Sequence, residues 1–174
     1  MKYFDELKRS MDYLNMMSDT IFLGQAVEYP GTAITNTLKD CNKSKLLEMP
    51  VIEESQMGFS IGLSLAGFTP ISIYPRWNFL LLATNQIVNH LDKIPLYSDY
   101  KPKVIIRTSI GSERPLHPQH QHVGDFTDAF KLMLKTVNIV RLDEPEQIYE
   151  EYQKAYGSKG STILVEWGDF YNEK

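Results

Sequence analysis

The sequence predicts an α/β fold: a single domain in which a mostly parallel sheet is flanked by helices. Three observations carry this. Apolar residues change along the chain between helical spacing and short extended runs, the alternation expected of a parallel sheet with crossover helices. Extended runs such as Thr20-Ile21-Phe22-Leu23-Gly24 read as strands buried in a sheet rather than as half-solvated ones. A length of 174 residues with 43% hydrophobic content supplies one core and needs no second. Taken in order, Phe4, Leu7, Met11 and Leu14 recur at helical spacing and open the chain with a helix. The strand Thr20 to Gly24 then feeds a loop. Residues 25–45 are polar with little periodicity, so a surface connection with at most one short helix is expected. Leu46 to Ile52 is extended and broken by Pro50, a helix runs from Glu53 to Ala66, and Gly67 stops it. Thr69 to Tyr74 is the next strand. Leu80, Ala83, Ile87, Leu91 and Ile94 mark one long helix from Trp77, closed by Pro95. Val104-Ile105-Ile106 is a strand, followed by a histidine-rich loop from Ser109 to Asp125, a helix around Phe126 to Leu134 and a strand at Asn138 to Leu142. Asp143 and Pro145 open the last helix, Gly157 and Gly160 end it, and Thr162 to Glu166 is the final strand. With no repeat, low-complexity tract or linker, residues 1–174 read as one domain.

Charge and composition exclude several functions. A net charge of −4, with Lys and Arg scattered rather than clustered, leaves no basic face for a nucleic-acid backbone. The start Met-Lys-Tyr-Phe-Asp-Glu lacks a signal peptide's apolar run, and no stretch approaches the ~20 apolar residues of a membrane span. Cys41 is the only cysteine and has no internal disulfide partner. A cytoplasmic protein with no nucleic-acid or membrane partner is expected.

Two segments carry candidate chemistry. In Met49 to Gly62 an extended apolar run turns into a helix at the acidic pair Glu53-Glu54. Gly58, Gly62 and Ala66 recur every fourth residue beyond it, giving one helix face almost no side chain, with Met57, Ile61 and Leu65 as the adjacent apolar stripe. This describes a helix at an interface with a carboxylate at its N-terminal end; the alternative is an amphipathic helix whose first-turn acids are solvated and favoured by the macrodipole. The second segment, Ser109 to His122, holds His117, His120 and His122 directly after a strand, where open α/β sheets place ligands. His120 and His122 point the same way if extended, but no cysteine accompanies them and the spacing matches no strong zinc signature, so no metal ligand is assigned. Surface histidines on a polar loop are the plain alternative.

Glu53 to Gly62, Asn78-Phe79, Gln86-Ile87-Val88-Asn89, Val104 to Arg107 and Pro118-Gln119-His120 fall in an order and spacing that resembles the pyrimidine-binding domain of thiamine-diphosphate enzymes. The nearest likeness is to the β subunit of 2-oxo acid dehydrogenases, with transketolase more distant, and it covers nearly the whole chain. The resemblance implies the three-layer thiamine-diphosphate-binding fold. It also implies that Glu53 hydrogen-bonds the pyrimidine ring nitrogen and so lets the cofactor act as its own base. Phe79 then supplies an aromatic wall for the heterocycle, Gln25 stands in the cofactor-binding loop, and His120 faces the substrate with His117 and His122 nearby. Gln86 and Asn89 are assigned to helix contacts. The sequence departs from the family in three places: Gly24-Gln25-Ala26-Val27 replaces Gly-Glu-Asp-Val, Ser55 stands where glycine is common, and Gln121-His122 replaces Ser-Gln. Proton communication through the missing carboxylate is thereby in question, and the substrate is open. The family's C-terminal domain is not expected in a chain of this length.

The diphosphate and its Mg2+ require a Gly-Asp-Gly followed by a distant asparagine, which Gly168-Asp169-Phe170 is not. The resemblance therefore implies a partner α-type subunit carrying that motif, in an α2β2 heterotetramer. The expected function is the pyrimidine-binding half of a split enzyme that decarboxylates a 2-oxo acid, with carboligation, or transfers a ketol or acyl unit as transketolase does. The alternatives are a dehydrogenase subunit feeding a lipoyl domain, a non-catalytic regulatory or assembly subunit, and a hydrolase using a metal on the three loop histidines.

Overall fold

The computed structural model describes residues 1–30, 32–111 and 120–172. Their apolar runs form one six-stranded sheet: β1 Thr20–Gly24, β2 Leu46–Glu48, β3 Thr69–Ile73, β4 Ile105–Ile110, β5 Asn138–Arg141 and β6 Thr162–Trp167. The spatial order is β2-β1-β3-β4-β6-β5 and every neighbouring pair is parallel, so the mostly parallel sheet of the sequence reading is parallel throughout its described strands. The inner strands β3 and β4 bury every residue, as unbroken apolar runs require, whereas the edge strands β2 and β5 are half-covered. The helices are α1 Tyr3–Met16, α2 Ala33–Thr37, α3 Glu53–Leu65, α4 Trp77–Leu80, α5 Ile94–Tyr97, α6 Thr127–Met133 and α7 Pro145–Gly157.

Because side chains alternate across a strand, the sheet feeds two cores. Phe22, Ile71, Ile73, Ile105 and Leu164 pack on one face against Leu7, Met11 and Leu14 of α1, Ile34 of α2, and Ile148 and Tyr152 of α7. Ile106, Ile110, Ile163 and Val165 pack on the other against Met57 and Ile61 of α3, Leu80, Ile87, Leu91 and Phe130 of α6. The result is the expected three layers, each fully buried aliphatic or aromatic side chain contributing about 1.5–3 kcal/mol relative to exposure.

Helix α3 starts at Glu53 as read from the sequence and stops where Gly67 takes φ +92°. The Gly67 N–H bonds Ser64 O at 3.0 Å and the Phe68 N–H bonds Leu63 O at 3.1 Å, which satisfies two terminal carbonyls. Two expectations are corrected. Residues 77–97 are not one long helix but α4, a 3₁₀ turn at Leu81–Ala83, a π-helical stretch at Gln86–Leu91 and α5, with Pro95 in the first turn of α5 rather than beyond a helix end. Ala83, Ile87 and Leu91 are all buried at strict spacings of four, a stripe that drifts around a 3.6-residue helix; the wider π turn reverses the drift. The described residues of 25–45 do hold only α2 and a 3₁₀ turn at Lys43–Lys45, but Val27, Ile34, Leu38 and Cys41 there are buried in the core rather than lying on a surface connection.

Candidate active site

Chain order reverses between β1 and β3, since β2 lies on one side of β1 and β3 on the other. A crevice at the carboxyl ends of strands at such a switch point is where open α/β sheets bind ligands. Glu53 occupies it. The Pro50-Val51-Ile52 segment turns through an Ile52 N–H to Pro50 O bond of 2.8 Å, and α3 then begins with Glu53, which is 4% exposed. Its Oε1 accepts from Gln25 Nε2 at 3.2 Å, and its carbonyl accepts from the Tyr74 hydroxyl at 3.3 Å. Burial pushes the Tyr74 phenol up; a hydrogen bond with Ser72 opposes this and the charge of Glu53 adds to it, so Tyr74 stays a donor.

Gln25 reaches Glu53 because its loop is wrapped around a second carboxylate. Glu48, at the end of β2, accepts the N–H groups of Ala26, Val27 and Glu28 at 2.8, 2.8 and 2.9 Å, which holds Ala26 at a left-handed φ of 59°. Gly24 is needed just before it: a Cβ there would lie 2.2 Å from the Ile73 carbonyl oxygen. One turn after Glu53, buried Gln56 donates to Ser72 Oγ at 3.2 Å and Ile73 O at 3.0 Å, while its Oε1 has no partner. Glu54 instead faces solvent and accepts from Asn85 at 3.2 Å and Gln86 at 3.3 Å.

The turn after β3 and the loop after β4 build the neighbouring part of the same sheet end. Phe79 is half-buried, and its ring centroid lies 4.7 Å from that of His122 at an interplanar angle of 33°. His122 has φ 60° and a buried Nδ1 without a partner. His120 is exposed, and His117 lies outside the described residues. The structure therefore joins Gln25 to Glu53 and Phe79 to His122, while no hydrogen bond or ring contact among the described residues links Glu53 with Phe79 or His120. Gln86 serves a helix contact, and Asn89 does so through Asn85 at 2.9 Å. Among the described residues Gly62 has nothing within 4 Å and Gly58 meets only Gln86 Oε1 at 3.9 Å, so no described backbone packs on these two glycines. Sequence reasoning missed Glu48, Gln56 and Tyr74. Glu48 alone left a signal, a polar residue ending the run Leu46-Leu47.

Among the described residues no group of three or more His, Cys, Asp or Glu side chains is arranged to hold a metal ion, and no helix is long and apolar enough to cross a membrane. Clefts of about 340 and 300 Å³ lie at the opposite, amino-terminal end of β5 and β6, around Thr136, Gly160 and Ser161, away from these residues.

The three-layer parallel sheet is the fold of a transketolase chain. The fold is shared with a split-gene transketolase, solved as an inactive β4 tetramer, at a TM-score of 0.74 and 16% identity over 95% of this chain and 51% of that one. The chain is homologous to the β subunits of pyruvate dehydrogenase E1. It is 28% identical to that of Gracilaria tenuistipitata var. liui over 98% of this chain and 54% of that protein. With the subunit from Staurastrum punctulatum it shares 33% identity over 75% of this chain and 39% of that protein. It thus spans about half the length or less of these relatives, and a further similar protein, the β-3 subunit of Oryza sativa subsp. japonica, is chloroplastic. No family model matches the sequence.

Proposed function

We propose that this chain is the pyrimidine-binding subunit of a split thiamine-diphosphate enzyme acting on a 2-oxo acid or ketose. The observation that carries the reading is the Glu53 carboxylate, 4% exposed at the switch point yet given one side-chain donor, Gln25. Its Oε2 accepts no hydrogen bond among the described residues, and Gln56 Oε1 one turn away is a buried acceptor without a partner. Unfilled acceptors at the carboxyl end of the sheet fit a flat nitrogen heterocycle that brings its own N–H groups. Glu53, Gln25 and Phe79 would hold its aminopyrimidine; the diphosphate and Mg2+ would fall to a second, α-type chain in an α2β2 assembly.

When bound, thiamine diphosphate supplies the carbon nucleophile and electron sink for making or breaking a bond beside a ketone carbonyl. Gln25 orients Oε1 of Glu53, which leaves Oε2 to share a proton with a ring nitrogen. Tyr74 fixes the start of α3 through the Glu53 carbonyl. Phe79 offers a flat apolar wall. His120, which is exposed, would pass a proton to or from the substrate. The reaction we favour is decarboxylation with carboligation, or ketol transfer as in transketolase, in the cytoplasm. Oxidative transfer to a lipoyl domain is the second reading, supported by the homology to pyruvate dehydrogenase E1 β subunits. That a β-only tetramer of the split transketolase is inactive supports the need for a partner. Calorimetry tests it: the chain alone should bind thiamine diphosphate weakly or not at all, and co-expression with the diphosphate-binding chain should restore tight, Mg2+-dependent binding. Tight Mg2+-dependent binding by this chain alone would refute the split site.

A further inference from the structure

We propose that Arg76 is a positioning residue: with Asn78 and Phe79 it forms a clamp, on the turn after β3, that fixes segment 120–124 and with it the imidazole of His120. The proposal rests on the reading of His120 as the substrate-facing histidine. Three neighbouring residues of one turn grip three points of the returning loop. Arg76 Nη1 donates to the His122 carbonyl at 3.0 Å, the Phe79 ring packs on the His122 ring at 4.7 Å, and Asn78 Oδ1 accepts the Gly124 N–H at 3.2 Å. At its far end the backbone packs closely, since a Cβ on Gly124 would lie 2.7 Å from the Phe126 ring. His122 meanwhile keeps a left-handed φ of 60°, a conformation that a residue with a side chain holds only when its surroundings over-determine it.

The other end of the loop lies beside Asp169, whose charge acts on the same arginine. Gly111, where the chain leaves β4, has φ 70°, and a Cβ there would lie 2.3 Å from Asp169 Oδ2. Asp169 is also the charge that bears on Arg76: burial lowers the guanidinium's pKa and Asp169 opposes that. A planar fork with donors on several sides suits this position, whereas a lysine supplies the charge without the fork. Two residues of chain span at most about 7 Å, so His120 stays within that reach of the clamped His122. None of the clamp residues needs to touch substrate for the clamp to matter, since misplacement of a catalytic group by about 1 Å can cost on the order of a hundredfold in rate.

Amide hydrogen exchange on the full chain tests the clamp without cofactor or partner. In both Arg76→Ala and Asn78→Leu the amides of 120–126, Gly124 above all, should exchange at least about tenfold faster while strand β4 stays protected, with Arg76→Lys in between. Unchanged protection in both variants overturns the clamp. In the complex with the diphosphate-binding chain, Arg76→Ala should lower kcat about tenfold or more with cofactor affinity unchanged, and Arg76→Lys should recover part of it. A loosened segment with unaltered kcat overturns the positioning role. If His120→Ala also turns over normally, the fault lies in the reading of His120 and not in the clamp.

Discussion

The buried glutamates Glu53, at the start of α3, and Glu166, on β6, are treated in opposite ways. Glu166, on β6, is completely enclosed and saturated: Arg107 donates through Nε at 2.5 Å and Nη2 at 3.1 Å, and the hydroxyls of Tyr152 and Tyr171 donate as well. Arg107 completes the cluster by donating to Thr37 Oγ1 at 2.8 Å. Burial opposes the charge on Arg107, but Glu166 outweighs it and holds the guanidinium above its ordinary pKa; burial and the same carboxylate push both tyrosines well up. The cluster joins β4, β6, α2, α7 and the 3₁₀ segment Gly168–Asn172. Glu53, nearly as buried, has Gln25. A carboxylate with all its acceptor sites filled is part of the scaffold, and one kept short of donors has capacity left for a ligand.

The contrast is broken most severely at the saturated site. Arg107→Met leaves Glu166 buried without a counter-charge and should cost about 3–5 kcal/mol in urea unfolding, with folding itself at risk. A loss under about 1 kcal/mol would mean that the cluster relaxes and that saturation is no mark of a structural acid. Asp92 is another buried acid, with several donors gathered on one oxygen. Its Oδ1 accepts the N–H groups of Lys135, Thr136 and Val137 at 2.8, 2.7 and 3.1 Å, and these outweigh burial and hold the carboxyl group below its ordinary value. Because the folded pKa is depressed, the contribution is whole above the unfolded value of about 4 and is lost as pH falls through the folded one. Asp92→Asn should therefore cost about 2 kcal/mol at pH 7, and the gap from the unmodified chain should narrow below about pH 4. The smallest effect is expected at Glu53 itself: Glu53→Gln replaces a buried carboxyl group that has one neutral donor, and stability should change by under about 1 kcal/mol. A loss as large as that of Arg107→Met would make Glu53 a scaffold residue.

The sequence made the scaffold around Glu53 more legible than its contacts. The strand Thr20 to Gly24 and the helix start at Glu53 were readable because both are bounded by local chemistry: a glycine that must accept close approach, and a proline that breaks the preceding extended run. The helix break at 81–91 was hidden because Leu80, Ala83, Ile87 and Leu91 present an apolar stripe in either geometry. Arg107 and Glu166 could be placed on strands, yet their pairing depends on the β4–β6 register, which sets Arg107 beside Leu164 and puts Glu166 on the same face. Likewise, the Gln25 contact depends on Glu48, which folds the intervening loop through bonds between residues more than 20 positions apart. Among the histidines, residue type and order pointed to His120, whereas the ring contact and the unpartnered nitrogen fall on His122.

The most direct test of Glu53 as a reserved acceptor is deuterium exchange at the thiazolium carbon in the complex with the diphosphate-binding chain, measured for Glu53→Gln against Glu54→Gln. Glu54 neighbours Glu53 in sequence but faces solvent, so it controls for charge and helix start. Exchange should fall roughly a hundredfold or more in Glu53→Gln and stay close to that of the unmodified complex in Glu54→Gln. Near-normal exchange in Glu53→Gln, with cofactor bound, would contradict the account.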